Sequence, residues 1–285
     1  MNQAYPDSVL ATTHLSLRYD ERSVLDDISL AIPRGAVVGL VGRNGAGKST
    51  LLRCLMGISV PFQGSAQVLD CPSLALSDAV RERLGYVGQT PDLLDWLSVW
   101  DHVRYIGGFY PRWNETHARD LLIRFGLPEG MRVSSLSVGD QQKLAIVLAL
   151  AHDPDVLIMD EPVASLDPLM RRDFMRSLFE GRGERQERSV LLSSHLLSDL
   201  ERVVSHVIFL RDGRVQWFGE RDAAAECLRV VQATQPLPAQ GGLLVQHQVD
   251  GAWRAVVDTR QVTTEALAPD SVAMNLDDLF VELNS

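Results

Sequence analysis

The sequence predicts an α/β fold with a mostly parallel sheet, and three observations lead to this prediction. Short continuous apolar runs recur along the chain, and such runs are typical of strands buried on both faces. Segments with helical periodicity separate most of these runs, as in strand–helix–strand units. A glycine-rich loop joins the first run to a helix. The apolar runs cover residues 36–41, 84–88, 156–159 and 189–194.

The N-terminal segment alternates apolar and polar residues, which indicates an antiparallel β subdomain. Its two strands cover residues 9–19 and 24–32, separated by a polar stretch at 20–23. Tyr19 stands at the end of the first strand. An aromatic side chain there can stack on a nucleotide base or can be a half-buried strand residue. The residues alone favour the second interpretation.

The glycine-rich loop at residues 42–50 fits the pattern G-x-x-x-x-G-K-[ST]. Glycines let successive backbone N–H groups converge on an anion, and the following helix adds its positive N-terminal end. Lys48 can place its charge between phosphates, and the Ser49 hydroxyl can ligate Mg²⁺. We therefore predict a P-loop NTPase core. Its candidate binding residues are Gly42, Arg43, Asn44, Gly45, Ala46, Gly47, Lys48, Ser49 and Thr50.

Polar side chains follow three further predicted strands. Gln89 ends one strand, Asp160 and Glu161 end the next, and His195 ends a third. Ligand-binding groups of parallel sheets gather at the carboxyl ends of the strands. Each residue alone is as readily a loop or structural residue, but together with a phosphate loop they predict one site. Of the two acids, one can hold Mg²⁺ while the other faces an attacking water.

Residues 91–131 differ from the rest of the chain and predict an inserted helical subdomain, which extends to about residues 90–150 with the helix that follows. The segment Phe109–Trp113 interrupts its helical pattern, and three tryptophans are either core residues or part of a surface for a partner. The long helix is expected to begin near Ser137 or Asp140, either of which can cap it. The tryptophans are Trp96, Trp100 and Trp113.

The composition changes near residue 223. We interpret residues 1–222 as the nucleotide-binding domain and 223–285 as a small α+β accessory region. We expect three elements there: a linker marked by prolines and glycines near 236–242, a hairpin over 243–257 and an amphipathic helix over 275–283. A dimer contact, a regulatory role and a cover for a sheet edge all remain open for this region, and we favour the dimer contact.

Charge and hydropathy argue against nucleic-acid binding by the whole surface and against membrane insertion. The net charge of −10 argues against nucleic acid as a partner, although a local basic patch would be compatible with it. No apolar run is long enough to cross a bilayer, so no direct membrane insertion is expected, and the N-terminus has no pattern of a secretion signal. The three cysteines have neither metal-binding spacing nor a disulfide pattern, and we expect buried thiols in the cytoplasm.

Taken in order, these motifs resemble the ATP-binding subunit of ABC transporters over about residues 9–222. Tyr19 is similar to the A-loop aromatic, residues 42–50 to Walker A and Gln89 to the Q-loop. The signature motif LSGGQ is matched by Leu136–Asp140, with Val138 and Asp140 as departures, and Walker B with its glutamate by Val156–Glu161. The D-loop is matched by Ser165–Asp167 and the H-loop by His195. The Phe109–Trp113 segment and the tail Asn275–Phe280 look most like ATPases of bacterial type-2 exporters.

The resemblance implies a head-to-tail homodimer that encloses two ATP molecules and drives a separate integral membrane permease. Lys48 and the loop amides would hold phosphate, while Ser49, Gln89 and, through water, Asp160 would serve Mg²⁺. Glu161 would be the general base, and His195 would contact the γ-phosphate. Ser137 and Gly139 would reach that phosphate from the opposite chain. The protein would therefore lie in the cytoplasm, on the inner face of the membrane.

Two other functions compete with this interpretation. A soluble ABC-type ATPase that acts on ribosomes or DNA usually carries two ATPase halves or a long coiled coil, which this chain lacks. A regulatory module that only binds ATP would not need both Glu161 and His195. For the departure in the signature motif, we expect Asp140 to cap its own helix without contact to the nucleotide.

Overall fold

The computed structural model describes residues 7–167, 170–171, 174–175, 178, 188–195, 200, 203–238, 242–249, 251–261 and 272–284. The first six residues, residues 239–241 of the expected linker and most of the segment after Asp167 lie outside this set. Residues 170–171 and 174–175 of that segment are helical.

In the part of the chain that the structure describes, the central sheet has six strands, five of them parallel. The parallel strands are β3 (Val37–Val41), β6 (Leu84–Val87), β7 (Val156–Met159), β8 (Ser189–Ser194) and β9 (His206–Arg211), with β10 (Arg214–Glu220) antiparallel at one edge. The strand order is β10-β9-β3-β8-β7-β6. β3, β7 and β8 are buried along their whole length, as their continuous apolar sequences predict. The predicted α/β fold is therefore confirmed.

A separate antiparallel sheet precedes and covers this core. Its order is β2-β1-β4-β5, and alternating residues of its long strands pack inward. Helix α1 (Lys48–Leu55) has buried leucines in the same hydrophobic core as these strands. Helix α1 ends before Gly57, whose φ of 69° is suited to glycine. The strands are β1 (Ser8–Tyr19), β2 (Arg22–Pro33), β4 (Gln63–Val68) and β5 (Cys71–Pro72), and a short helix α2 (Asp78–Arg81) follows them.

The inserted helical region lies between β6 and β7, as predicted. It contains α3 (Val99–Gly107), α4 (Glu115–Arg124) and α5 (Val138–Leu150), and the expected interruption falls between α3 and α4. Trp100 and Trp113 pack partly against the core, whereas Trp96 is 64% exposed. Core packing therefore holds for Trp100 and Trp113, and a partner surface at Trp96 stays a prediction.

The described residues of the C-terminal region form an antiparallel sheet of four strands, in the order β12-β13-β11-β14, with a helix packed on it. The hairpin over 243–257 and the last helix are confirmed, but β11 and the helix before it were not predicted. Apolar residues of this sheet and helix belong to the same hydrophobic core as Phe209 and Trp217. The elements are α6 (Arg221–Cys227), β11 (Leu228–Ala233), β12 (Leu243–Val249), β13 (Ala252–Asp258), β14 (Val272–Ala273) and α7 (Leu276–Leu283).

The expectation that all three cysteines are buried was wrong. Cys54 is buried, but Cys71 and Cys227 are only half-buried because they lie at the starts or ends of short surface elements. The domain boundary at 222/223 stays a prediction, and helix α6 crosses it.

Candidate nucleotide site

The phosphate loop connects the central strand β3 to helix α1, as the sequence predicts. Gly47 precedes the helix with a φ of 105°, a conformation that strains any residue with a Cβ atom. A Cβ atom on Gly42 would lie 2.4 Å from the carbonyl oxygen of Leu210. Both glycines are therefore required by the backbone path, and that path turns the loop around the N-terminus of α1.

Lys48 is 5% exposed although it carries a charge. Its ammonium donates hydrogen bonds to the carbonyl oxygens of Gly42 and Arg43, at 2.7 and 3.3 Å. It also lies 3.3 Å from Oε1 of Glu161. A buried cation without an anion would be costly, and a phosphate would provide a stronger partner than neutral carbonyl groups.

Glu161 is the second buried charge of the site, with 8% of its side chain exposed. Its Oε2 atom lies 2.6 Å from Nδ1 of His195, whose side chain is 42% exposed. The backbone of Glu161 has a φ of 46°, which few residues other than glycine adopt. The structure thus brings together the acid that ends β7, the histidine that ends β8 and the lysine of the phosphate loop.

Ser193 holds the Asp160–Glu161 pair in place. Its hydroxyl donates to Oδ1 of Asp160 at 2.7 Å and accepts the backbone N–H of Glu161 at 2.8 Å. Asp160 is 3% exposed and Ser193 is fully buried. Ser193 was not predicted as a site residue, although it too is a polar residue near the carboxyl end of a buried strand.

Two adjoining cavities border the loop. A cavity of about 230 Å³ is lined by Val24, Asn44, Gly45, Gly47, Lys48, Ser49, Thr50, Gln89 and Glu161. A wider one of about 820 Å³ is lined by residues 19–24, Gly45, Asp212 and Gly213. Tyr19 lies in the second cavity and is 51% exposed. The arrangement suits a ligand whose phosphates enter the first cavity and whose base reaches the second, with the ring of Tyr19 free to stack on it.

Three predicted loop residues do not line the smaller cavity. The carbonyl of Gly42 is bonded to Lys48, and the carbonyl of buried Ala46 accepts the N–H of Gly213 at 3.0 Å. The side chain of Arg43 turns away and donates to the carbonyl oxygen of Asn284 at 3.0 Å. These residues shape the loop, while its other members border the ligand space.

The signature segment begins helix α5 at Val138, and Ser137 is its N-cap. The Ser137 hydroxyl accepts the N–H of Asp140 at 3.1 Å and donates to the Asp140 carboxylate at 2.8 Å. Lys143 lies 2.8 Å from the same carboxylate, and these hydrogen bonds hold the pKa of Asp140 below its usual value despite partial burial. Ser137, not Asp140, is thus the cap, and Asp140 contacts residues of its own helix. Ser137 and Gly139 do not line either cavity.

Gln89 lines the smaller cavity, and its position is linked to the signature helix. The buried side chain of Gln142 donates to the carbonyl oxygen of Gly88 at 3.4 Å. Gln142 was not predicted as a functional residue, because a glutamine inside a largely apolar helix does not by itself indicate a role. A movement of α5 would therefore reach the residue before Gln89.

The donor groups suit Mg²⁺ bound together with a nucleotide. Magnesium prefers oxygen ligands and usually keeps several waters beside one or two protein groups. Ser49 and Gln89 offer such oxygens in one cavity. Asp160, which is buried, follows β7, the strand paired with the one that leads to Gln89. Among the described residues, no three His, Cys, Asp or Glu side chains form a cluster that could hold a metal ion.

Fold and site together define a P-loop NTPase, and comparison with known proteins gives the family. A family model described as ABC transporter matches residues 25–164. The ABC transporter ATP-binding protein NatA of Bacillus subtilis is 32% identical over 234 residues, covering 78% of this chain and 93% of that protein. The aliphatic sulfonates import ATP-binding protein SsuB 2 of Pseudomonas aeruginosa is 39% identical over 208 residues, covering 72% and 73%.

A solved structure of an ATP-binding subunit of an ABC transporter is 29% identical, with a TM-score of 0.68, covering 77% of this chain and 93% of that one. The chain therefore belongs to the family of ATP-binding subunits of ABC transporters, and it is an ATPase. None of the helices in the described part of the chain has both the length and the apolar character needed to span a bilayer.

Proposed function

We propose that this chain hydrolyses ATP with Glu161 as the general base and powers an exporter through a separate membrane permease. The observation that carries the assignment is the meeting of Lys48, Glu161 and His195 beside one cavity. Lys48 and the loop amides hold the phosphates, while Ser49, Gln89 and Asp160 hold Mg²⁺ directly or through water. Bound Mg²⁺ neutralises phosphate charge, and positioning by these groups supplies most of the rate.

The active unit in this proposal is a head-to-tail homodimer. Ser137 and Gly139 lie outside the two cavities of their own chain, yet Ser137 stands at the positive N-terminal end of the 13-residue helix α5. Such a helix end suits a phosphate, which a second copy of the chain would supply. ATP binding then closes the dimer, and hydrolysis reopens it.

The permease contact is proposed for the inserted helical region. A groove of about 530 Å³ runs between the end of α1, β6 and the inserted helices, and Gly88 in its lining adjoins Gln89. Beside it, Tyr105 and Phe109 pack edge to face while 53% and 65% exposed. Two large aromatic side chains exposed side by side favour a protein partner. A partner bound in this groove would contact Gly88, the residue before Gln89. A permease bound there would also hold the chain on the inner face of the membrane.

Export as the direction rests on the exporter-like segments Phe109–Trp113 and Asn275–Phe280. The import activity in the name of SsuB 2 belongs to that relative. The cargo would be determined by the permease, since this chain carries the ATPase machinery.

The experiment is a partner capture. Tagged Glu161→Gln protein is expressed in its own host, membranes are solubilised gently with MgATP present, and the proteins that co-purify are identified. A multi-span membrane protein in stoichiometric amount is expected. Recovery in the soluble fraction with ribosomes or another complex would contradict the proposal.

Two matched variants test the docking surface. Phe109→Glu should lose the membrane partner, whereas Phe62→Glu should retain it. Phe62 is 67% exposed, close to the 65% of Phe109, but it follows α1 at the edge of the N-terminal sheet. Equal capture by both variants would exclude the Phe109 surface as the contact.

A further inference from the structure

The carboxyl end of the last helix, α7, lies against the phosphate loop. Arg43 of the loop donates from Nη1 to the carbonyl oxygen of Asn284 at 3.0 Å. Arg211, the last residue of β9, donates from Nη1 to the carbonyl oxygen of Leu283, also at 3.0 Å. The final carbonyl groups of a helix have no partner within the helix and carry its negative end. Two arginines of the ATPase core therefore cap α7.

The Asn284 carbonyl is held in a defined orientation. Its backbone N–H donates to the carbonyl oxygen of Val281 at 3.1 Å, and its side-chain amide donates to that of Phe280 at 2.8 Å. Asn284 is thus fixed on the end of the helix by two bonds. The contact with Arg43 joins an ordered helix end to the loop.

Helix α7 is firmly seated on the accessory sheet. Leu276, Leu279 and Leu283 are at most 3% exposed. The carboxylate of Glu282, itself buried, pairs with Arg254 of β13 at 2.6 Å and lies 3.4 Å from His247 of β12. Leaving the buried Glu282 carboxylate without these partners would be costly, so the contact ties α7 to the sheet.

Arg43 links this unit to the phosphate-binding lysine. Its side chain holds α7, and its own carbonyl oxygen accepts a hydrogen bond from Lys48 at 3.3 Å. A phosphate that drew the Lys48 ammonium away from this carbonyl oxygen would remove one restraint on the backbone at Arg43. Arg43 therefore contacts both the phosphate-binding lysine and the end of α7.

We propose that Arg43 couples occupancy of the phosphate site to the seating of α7, so that the accessory sheet positions the loop for ATP. This inference rests on the phosphate role of Lys48 proposed above. Coupling between two sites is reciprocal in free energy. Bound nucleotide should tighten α7, and loosening α7 should weaken nucleotide binding by the same factor.

The first test is hydrogen exchange of the full chain with and without saturating MgADP, with binding followed in parallel by a fluorescent nucleotide. Exchange at residues 281–284 should slow about threefold or more, the equivalent of strengthening roughly one hydrogen bond. Binding of MgADP with unchanged exchange there would overturn the coupling while leaving the ATPase assignment intact. Absence of binding would overturn both.

Variants of Arg43 identify the link. Arg43→Ala should lose the slowing even when enough MgADP is added to reach saturation, and Arg43→Lys, which keeps a donor and the charge, should restore part of it. Arg53→Ala is the matched control, because Arg53 is an exposed arginine near the end of α1. The same slowing in Arg43→Ala as in the natural chain would overturn the proposal.

The reciprocal direction is tested at Arg211, which lines neither cavity, with Asp212→Ala as the control for its ion pair to Asp212 of the wider cavity. Arg211→Ala should raise the Kd of MgADP about threefold, since it removes roughly one hydrogen bond from the helix end. The KM for ATP should rise with it while kcat stays nearly constant. A Kd equal to that of the natural chain would overturn the reciprocal coupling.

Discussion

Oε2 of Glu161 lies 2.6 Å from Nδ1 of His195, and its other oxygen lies 3.3 Å from Nζ of Lys48. One carboxylate thus bridges the two cationic or proton-bearing groups of the site. The Ser193 hydroxyl holds the backbone of Glu161 by accepting a hydrogen bond from its N–H. A ligand phosphate that attracts Lys48 and His195 would release this carboxylate toward a water.

Glu161→Gln should therefore lose steady-state ATP hydrolysis by about a hundredfold or more, as expected when a general base is removed. Binding should persist, because the amide keeps the size of the side chain. Phosphate release and nucleotide fluorescence measure the two properties. Glu226→Gln, at an exposed position of α6, is the control. Unchanged turnover in Glu161→Gln would exclude it as the base.

Gly42→Ala should destabilise the fold by about 2 kcal/mol or more, because an added Cβ meets backbone that cannot move away easily. The clash is with the carbonyl oxygen of Leu210, at 2.4 Å. Chemical denaturation measures the effect, and nucleotide affinity should fall with it. Gly130→Ala is the control, since a Cβ there has no atom within 4 Å. Equal stability of the two variants would be incompatible with this packing.

Asp140→Asn should change ATP turnover by less than about threefold and lower stability by roughly 0.5–1 kcal/mol, through the lost charge near a helix N-terminus. The reason is that Asp140 bonds to Ser137 and Lys143 of its own helix. Turnover and thermal unfolding are the measurements, with Asp120→Asn on the exposed side of α4 as the control. Strongly tightened ATP binding with faster turnover would show that Asp140 opposes the nucleotide.

His152 should make the fold sensitive to acid. Burial lowers its pKa to about 4, it stacks on Tyr110 with ring centroids 4.2 Å apart, and its Nε2 atom bonds to the carbonyl of Leu84. Below the ordinary pKa of about 6.5 the unfolded chain binds a proton that the folded chain excludes. The stabilisation from the neutral ring is thus complete above that pH and decreases as the pH falls toward 4.

The loss attributable to His152 should be at most on the order of 3 kcal/mol over this window. His152→Phe keeps a ring that can stack but cannot be protonated, so its stability should fall less steeply between pH 6.5 and pH 4. Denaturant unfolding at a series of pH values compares the two chains. Parallel stability curves would remove His152 as the source.

Much of the fold and the site was accessible from the sequence because the signals are local. The apolar run at residues 36–41, the phosphate loop and helix α1 follow one another in the chain. The apolar pattern determines the strand and the helix, and the φ angles that only glycine adopts easily determine the tight turn between them. Polar residues at strand ends predicted that Gln89, Glu161 and His195 belong to one sheet edge. The parallel pairing of β6, β7 and β8 places them there.

The tertiary structure decided what depends on distant parts of the chain. Ser193 looks like any strand residue until β7 and β8 lie side by side and its hydroxyl meets Asp160. Arg43 looks like a phosphate-loop residue, yet its guanidinium bonds to Asn284, 241 residues away. The sequence by itself determined which groups are available, since local propensity and periodicity act over a few residues. Only packing determined their partners, because buried polar groups bond to whatever the strand order and helix placement bring within reach.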